Sequence, residues 1–395
     1  MNRPLEDPRL RPIADKVDAG ERLTEDDGRT LLATRDLWTL GELAHRVRVA
    51  RHGDLAYYNV NRHLNYSNLC ALSCQFCEFH RKKGDAGAYE YSLAEIEQQA
   101  VAARDAGATE MHIVGGLNPY LPFDYYTDML RTIKAAAPDI HLKAFTAVEV
   151  VHLARISKRA RDIRGVLEDL VEAGLGSLPG GGAEVFDDRV HDQAFKGKIR
   201  SDKWLEVHRV AHELGLMSNV TMLYGHVESI EDRLHHLLLI REAQDEAIDA
   251  GCAGRFQTLI PLPFFPDGSA LEHLPGPGGI ENLRMIAAAR LMLDNVDHVK
   301  AFWIMQTLHM TQVMLDFGAD DVDGTVVWYD ITKVTGDTTH QETSVGDLRD
   351  AILEAGYRPV ERDTLYRRVE REGSRWSVGS GAAGGQRPVA GGSPI

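Results

Sequence analysis

Cysteine is scarce in this chain, with only four in 395 residues, and three of the four lie within eight positions. That distribution argues against a disulfide framework, and clustered free thiols point to a reducing compartment, the cytoplasm. Long apolar runs are missing too. The N-terminus MNRPLEDPRLRPIADKV is polar, without the apolar stretch of a signal peptide, and no later segment is apolar for long enough to span a bilayer. Positive charge is in deficit, with 44 basic residues against 59 acidic ones and a formal net charge of -15. A surface of that sign repels a phosphate backbone or an anionic membrane, so neither nucleic acid nor membrane is an expected partner, and an anionic small molecule must be held by local cations. What the chain has in quantity is apolar residues, 44%, enough for one large barrel or two ordinary domains.

The clustered thiols are Cys70, Cys74 and Cys77, in the run NLCALSCQFCEF. Three thiolates satisfy three irons of a cubane 4Fe-4S cluster and leave the fourth iron open, whereas an electron carrier normally supplies four. An open iron can chelate the amino and carboxylate groups of S-adenosylmethionine, and Phe76, just before the last cysteine, is placed to cover the adenine. Two other readings of the segment stand at this point. One is a zinc site completed by His63 or His80, since three thiolates and one imidazole form a closed tetrahedral set; the other is buried cysteines with no ligand. Cys252 is far from the trio and reads as an unpaired core or helix-end residue.

The spaced apolar residues between 10 and 50, Leu31, Leu32, Leu37, Leu40 and Leu43 among them, predict two or three short helices, with Thr24 and Asp27 marking one helix start. From about residue 60, short apolar runs alternate with amphipathic stretches. Eight strand candidates follow: 63–69, 110–116, 141–146, 176–180, 218–224, 256–262, 299–305 and 324–327. Eight strand-and-helix repeats predict an α/β fold, a TIM-like (β/α)8 barrel. The organisation expected is an N-terminal helical extension over 1–55, the barrel with C-terminal elements over 56–368, and a disordered Gly, Ser and Pro-rich tail over 369–395.

Barrel active sites form from the loops at the C-terminal strand ends. The cysteine loop, GGLNP, TAVE, PGGGAE, YGH and PLPFFP all fall there, a clustering that a structural zinc site does not require. Gly115 and Gly116 let backbone approach a ligand, here the methionine amino group, although an ordinary turn explains them equally well. Gly180, Gly181 and Gly182 form a second candidate nucleoside loop, with Glu184 or Glu149 on a ribose hydroxyl; either carboxylate is also in position to cap a helix. Asn219, Thr221, Tyr224 and His226 carry polar groups on the fifth strand candidate and its exit, and a satisfied core histidine is the plainer reading of His226.

Beyond these motifs, RHLNYSNLC, HIVGGLNPYLPFDYY, IHLKAFTAVEV, SLPGGGAEVFDDRV, SNVTMLYGHVE and PVERDTLY make the chain resemble the aminofutalosine synthase family of radical S-adenosylmethionine enzymes from about residue 55 to 367. The resemblance implies a radical SAM barrel whose 4Fe-4S cluster cleaves S-adenosylmethionine into methionine and a 5'-deoxyadenosyl radical. That radical then adds to the vinyl carbon of an aryl enol ether dicarboxylate, in menaquinone biosynthesis. It also implies a reduced flavodoxin or ferredoxin type electron donor. Lys143, His226 and helix N-termini are the candidates for the substrate carboxylates, and no general base is named. The chain departs from the family pattern at Glu78 and Phe265, the latter within a proline-rich loop. A related enzyme, a cyclic dehypoxanthine futalosine synthase or a deazaflavin synthase subunit, is the near alternative. An Fe-S electron carrier or a zinc-binding protein is the distant one.

Overall fold

A computed structural model describes residues 6–157, 159, 162–326 and 342–382 of the chain. Three helices come first, Leu10–Ala19, Glu25–Ala33 and Leu37–His52. The second starts at Thr24, whose side chain and that of Asp27 cap each other's backbone N–H groups, as the sequence signature predicts. These helices lie along one side of the barrel. Gly28 is small enough for Leu234 and Met292 to press against it, and Gly41 for Phe317.

The strands are β1 (Leu55–Asn59), β2 (Asn61–Leu64), β3 (Glu110–Ile113), β4 (His141–Ala144), β5 (Ser177–Leu178), β6 (Met217–Tyr224), β7 (Phe256–Pro263), β8 (His298–Val299), β9 (Asp321–Gly324), β10 (Arg358–Glu361), β11 (Arg367–Glu372) and β12 (Arg375–Ala382). From β2 to β8 they pair in sequence order in one seven-stranded parallel sheet. Helices cover its outer face, and the strands are buried almost throughout, which is why they read as short apolar runs in the sequence.

The eighth strand candidate, 324–327, is displaced. The strand there is β9, which ends at Gly324, and it pairs with β1 in a separate three-stranded sheet ordered β10-β1-β9. The circuit still closes, because Lys300 beyond β8 bridges Asp321 of β9, and β1 runs through Val60 into β2. Gly324 permits this crossing: a side chain there would meet Asn59 Oδ1 at 2.3 Å and Asn61 Oδ1 at 2.5 Å. The architecture is a TIM-like barrel built on a seven-stranded ladder.

The expected disordered tail is corrected over its first part. Residues 369–382 belong to the antiparallel hairpin β11–β12, turned at Gly373 with φ 63°. Arg371 anchors it by an ion pair to Glu361 and a 2.9 Å bond to the Gly107 carbonyl. Glycine and serine composition masked an alternating strand pattern in which Val369 faces Val378. Residues 383–395, the rest of that segment, lie outside the described residues.

Candidate active site

A cavity of about 300 Å³ opens at the C-terminal ends of the strands, and Cys70, Cys74 and Cys77 line it together. Their loop is held from several sides. Lys82 Nζ donates to the carbonyls of Cys70 (2.8 Å) and Leu72 (2.9 Å), and Gln75 exchanges backbone bonds with Ala194 (2.9 Å) and Ala270 (2.8 Å). Burial pushes the Cys74 thiol up to about 11, opposed by Lys198 and reinforced by Cys77, Glu184 and Cys70. All three cysteines are free thiols.

The donor set discriminates between ligands. Among the described residues, the one set of three or more His, Cys, Asp or Glu ligand atoms lying within 4.8 Å of one another is His52, His298 and Asp320. The three sulfurs are therefore spread wider than a lone zinc ion would gather them, since thiolates about 2.3 Å from zinc sit about 3.8 Å apart. Three free thiols on one loop at the cavity mouth are the donor set of a cubane with one iron left open.

Gly115 and Gly116 line the cavity, but their smallness serves the protein's own packing. A Cβ on Gly116 would meet the Leu69 carbonyl oxygen at 2.3 Å, and one on Gly115 the Tyr66 ring at 2.6 Å. Both N–H groups are also engaged, that of Gly115 on Glu149 Oε1 (3.0 Å) and that of Gly116 on the Ser67 carbonyl (2.8 Å). Any contact with a methionine amino group must use a carbonyl there.

Glu149 corrects the expectation of a ribose contact. Its Oε1 accepts from Tyr66 Oη (2.8 Å) and Gly115 N–H, and its Oε2 accepts from the N–H and hydroxyl of Thr146 (both 2.8 Å). Four donors fill the four acceptor positions of a carboxylate. The residue caps the helix Ala147–Ile156 and positions the first glycine loop. Burial raises its pKa against the pull of these bonds.

Gly181 lines the cavity beside Thr146, and Trp204 donates to its carbonyl (3.3 Å). Glu184 adopts a left-handed backbone, φ 47°, and turns its carboxylate onto Lys198 Nζ. That ammonium also lies 5.0 Å from the centroid of the Phe76 ring, which packs edge-on against Phe195. Burial works against the Lys198 charge, but Glu184 and then Cys74 outweigh it and hold its pKa above the ordinary value. Phe145 (φ 61°) and Asp323 (φ 71°) are likewise left-handed beside the cavity. Such non-glycine conformations cost roughly 1–3 kcal/mol each and cluster at functional sites.

Lys143 faces the cavity with its Nζ 2.6 Å from Glu110 Oε1. Burial lowers the lysine's pKa, partly offset by Glu110. For Glu110, burial opposes ionisation, but Lys143 and Lys300 prevail and its pKa falls below the ordinary range. His226 is not among the cavity walls. Its Nε2 lies 3.0 Å from the Leu223 carbonyl, while its Nδ1, 3.4 Å from Glu228, is buried without a hydrogen bond, so only one ring nitrogen is satisfied, and the ring stands apart from the cavity expected for a substrate-contacting group. Asn219 and Thr221 reach the cavity, whereas Tyr224 Oη is spent on Asn282 (2.8 Å). Sequence reasoning passed over Lys198, Lys300, His112 and Asp323 as site residues, all of which line the cavity. Lys300 and His112 had a signal, a polar residue inside an apolar strand candidate. Lys198, in a polar loop, had none.

A TIM-like barrel with an open three-thiol loop at its C-terminal mouth defines the class of radical SAM enzymes. Comparison with known proteins agrees. The Radical SAM superfamily model matches residues 64–240, and the CofH/MqnC C-terminal region model matches residues 253–373. The chain is 42% identical to the aminodeoxyfutalosine synthase of Thermus thermophilus over 93% of this chain and 98% of that one. It is 44% identical to that of Streptomyces coelicolor over 90% and 93%. Among solved structures, methylornithine synthase superposes with a TM-score of 0.69 at 18% identity, covering 88% of this chain and 97% of that one, which supports the fold. The chain belongs to the aminodeoxyfutalosine synthase family of the radical SAM superfamily. It is an enzyme that uses a 4Fe-4S cluster and S-adenosylmethionine on a small-molecule substrate, with Cys70, Cys74 and Cys77 clustered in the segment where that chemistry resides. No described helix is long and apolar enough to cross a membrane.

Proposed function

We propose that this enzyme is itself an aminodeoxyfutalosine synthase. It joins the 5'-deoxyadenosyl group to the vinyl carbon of 3-[(1-carboxyvinyl)oxy]benzoate, giving 6-amino-6-deoxyfutalosine with methionine and bicarbonate, in the cytoplasm and on the menaquinone route. A reduced flavodoxin or ferredoxin type protein supplies the electron. The observation that carries this reading is the 42–44% identity to two synthases over nearly the full length of both partners.

When bound, the cluster and S-adenosylmethionine together supply the adenosyl radical. The chain's own residues do the rest. Cys70, Cys74 and Cys77 would hold the cluster; Phe76, the glycine loops and the Glu184–Lys198 pair, which line the cavity beside them, would surround the nucleotide. Val114, Leu223, Ile260, Leu262 and Phe302 add an apolar belt to the cavity wall. Such a belt admits an aryl ring and excludes water and stray hydrogen donors, which is the requirement of a radical addition.

The test is the mass of the product formed anaerobically with reductant, S-adenosylmethionine and the enol ether. An adduct carrying the adenosyl group is expected. The match to the CofH/MqnC C-terminal region favours, as second reading, a relative that uses the radical to take a hydrogen atom. Free 5'-deoxyadenosine without adduct would select it.

A further inference from the structure

On a chain whose formal net charge is -15, one face is basic. Two stretches supply it, 79–84 (FHRKKG) and 193–201 (QAFKGKIRS), each with three lysines or arginines and no carboxylate. Both lie against the cysteine loop. Lys82 Nζ sits on the carbonyls of Cys70 and Leu72, and Gly197, between Lys196 and Lys198, comes so close that a Cβ on it would be 3.4 Å from Leu72 Cδ2.

These cations differ in what answers them. Lys198 is paired with Glu184, and Arg200 with Asp188 and Asp192, so their charge is spent within the fold. Arg81 Nη1 and Lys82 Nζ donate to backbone carbonyls, and Lys83 Nζ stands 4.7 Å over the ring of the exposed Tyr120. Among the described residues, neither these three nor Lys196 is paired with a carboxylate. A carbonyl or a ring accepts such a group without cancelling its charge. Within 70–88 the carboxylates are Glu78 and Asp85; Asp85 Oδ2 accepts the Lys82 backbone N–H (2.7 Å), and Glu78 lies against Gly268 on the loop that follows β7. The unanswered cations outnumber them, and Lys82, Lys83 and Lys196 are exposed.

The same face covers the thiols thinly. Leu72 is half-buried between the exposed Ala71 and Ser73, lines the cavity, and directs its N–H at Cys70 Sγ (3.4 Å). One residue thus joins the basic surface to a cluster ligand.

We infer that the outer face of the cysteine loop, Leu72 with Lys82, Lys83 and Lys196 about it, is the docking surface for an acidic electron-carrier protein, whose electron enters by way of Leu72 and Cys70. The inference rests on the reading that a flavodoxin or ferredoxin type donor serves this enzyme. One electron leaves the reduced carrier and arrives on the cluster, and no proton or group moves with it. The rest of the acidic surface repels such a carrier, so the basic face selects the orientation in which it meets the loop.

The test is stopped-flow reduction of the cluster-loaded protein by two reductants, a reduced bacterial flavodoxin and photoreduced 5-deazariboflavin, a small molecule without net charge. Raising salt from about 0.05 M to about 0.3 M should slow the flavodoxin reaction of the wild type about tenfold and leave the deazariboflavin reaction within about twofold. Lys83→Glu combined with Lys196→Glu should slow the flavodoxin reaction about tenfold at the lower salt, remove most of its salt dependence, and leave the deazariboflavin reaction unchanged. Lys83→Gln combined with Lys196→Gln should act in the same direction more weakly, and it decides the matter if the charge-reversed protein fails to fold. A wild type insensitive to salt, or a variant that flavodoxin reduces at the wild-type rate or that is slowed with both reductants alike, would overturn the docking surface. A wild type reduced by deazariboflavin but by neither flavodoxin nor a ferredoxin would overturn it together with the donor reading. None of these readouts uses the acceptor, so the synthase reading, decided by the mass of the product, can fail while this surface stands.

Discussion

Two of the barrel's clusters of buried ionisable groups differ in where they stand relative to the cavity. In the first, Lys143 pairs with Glu110, Lys300 with Asp323, and His63 stacks on His112, yet all of these but Glu110 also line the cavity. In the second cluster, Asp320 accepts from Arg290, from the Val299 N–H (2.8 Å) and from His298 Nδ1 (2.5 Å), while His52 Nε2 sits 3.0 Å from the Asp297 carbonyl and Tyr366 stacks on His298 at 3.5 Å. None of these residues lines the cavity. His52, His298 and Asp320 are close enough to hold an ion, yet a guanidinium already occupies the carboxylate and a carbonyl occupies the imidazole. Closeness of ligand atoms thus marks a site only where those atoms still have something left to bind.

The contrast is broken most strongly at Asp320. Replacing it with Ala strands the Arg290 charge in the interior and should cost about 3–5 kcal/mol of stability by denaturant titration, with S-adenosylmethionine cleavage per folded molecule unchanged. Loss of cleavage at full stability would place that cluster in the reaction. A smaller effect belongs to Glu149→Ala, which removes a helix cap and leaves the buried Tyr66 hydroxyl and the Gly115 N–H unpaired; about 2 kcal/mol is expected, with a raised KM for S-adenosylmethionine. If that KM is untouched, Glu149 does not position the loop.

The smallest effect is a pH slope. His236 is fully buried, stacked on Phe186 and accepting its N–H (3.3 Å), and burial pushes its pKa down to about 3. Unfolded, it titrates near 6.5, so between those values the unfolded chain binds the extra proton. Its contribution is complete above pH 6.5 and declines as pH falls toward 3, by about 1 kcal/mol over the first unit or so. His236→Gln should flatten the stability curve between pH 6.5 and 5.5, whatever its effect at pH 7.5. An unchanged slope would mean the imidazole is already protonated in the fold.

Much of this arrangement was legible in the residues. The alternation of apolar runs and amphipathic stretches located β3 to β7, and the thiol spacing located the rim, because both are local signals with a fixed period or separation; the candidate 63–69 meets β2 only at 63–64, and 299–305 meets β8 only at Val299 before running into the helix Trp303–Gln306. The rest depends on contacts between distant segments. Whether Glu149 meets a ribose or caps a helix is decided by Tyr66 and Gly115, which lie 83 and 34 residues away. Glu184 and Lys198 pair across the helix Asp188–Ala194, and β9 finds β1 across most of the chain. The hairpin β11–β12 was hidden by composition, since glycine and serine suggest disorder until an anchor such as Arg371 on Glu361 is known.

Three thiols leave one iron open for the sulfonium nucleotide. Electron paramagnetic resonance of the anaerobically reconstituted, reduced protein reports on that open corner. The signal of a reduced cubane should appear and change shape when S-adenosylmethionine is added, and Cys74→Ala should abolish both. A cluster signal indifferent to the nucleotide, or colourless protein with one zinc per chain, would contradict it.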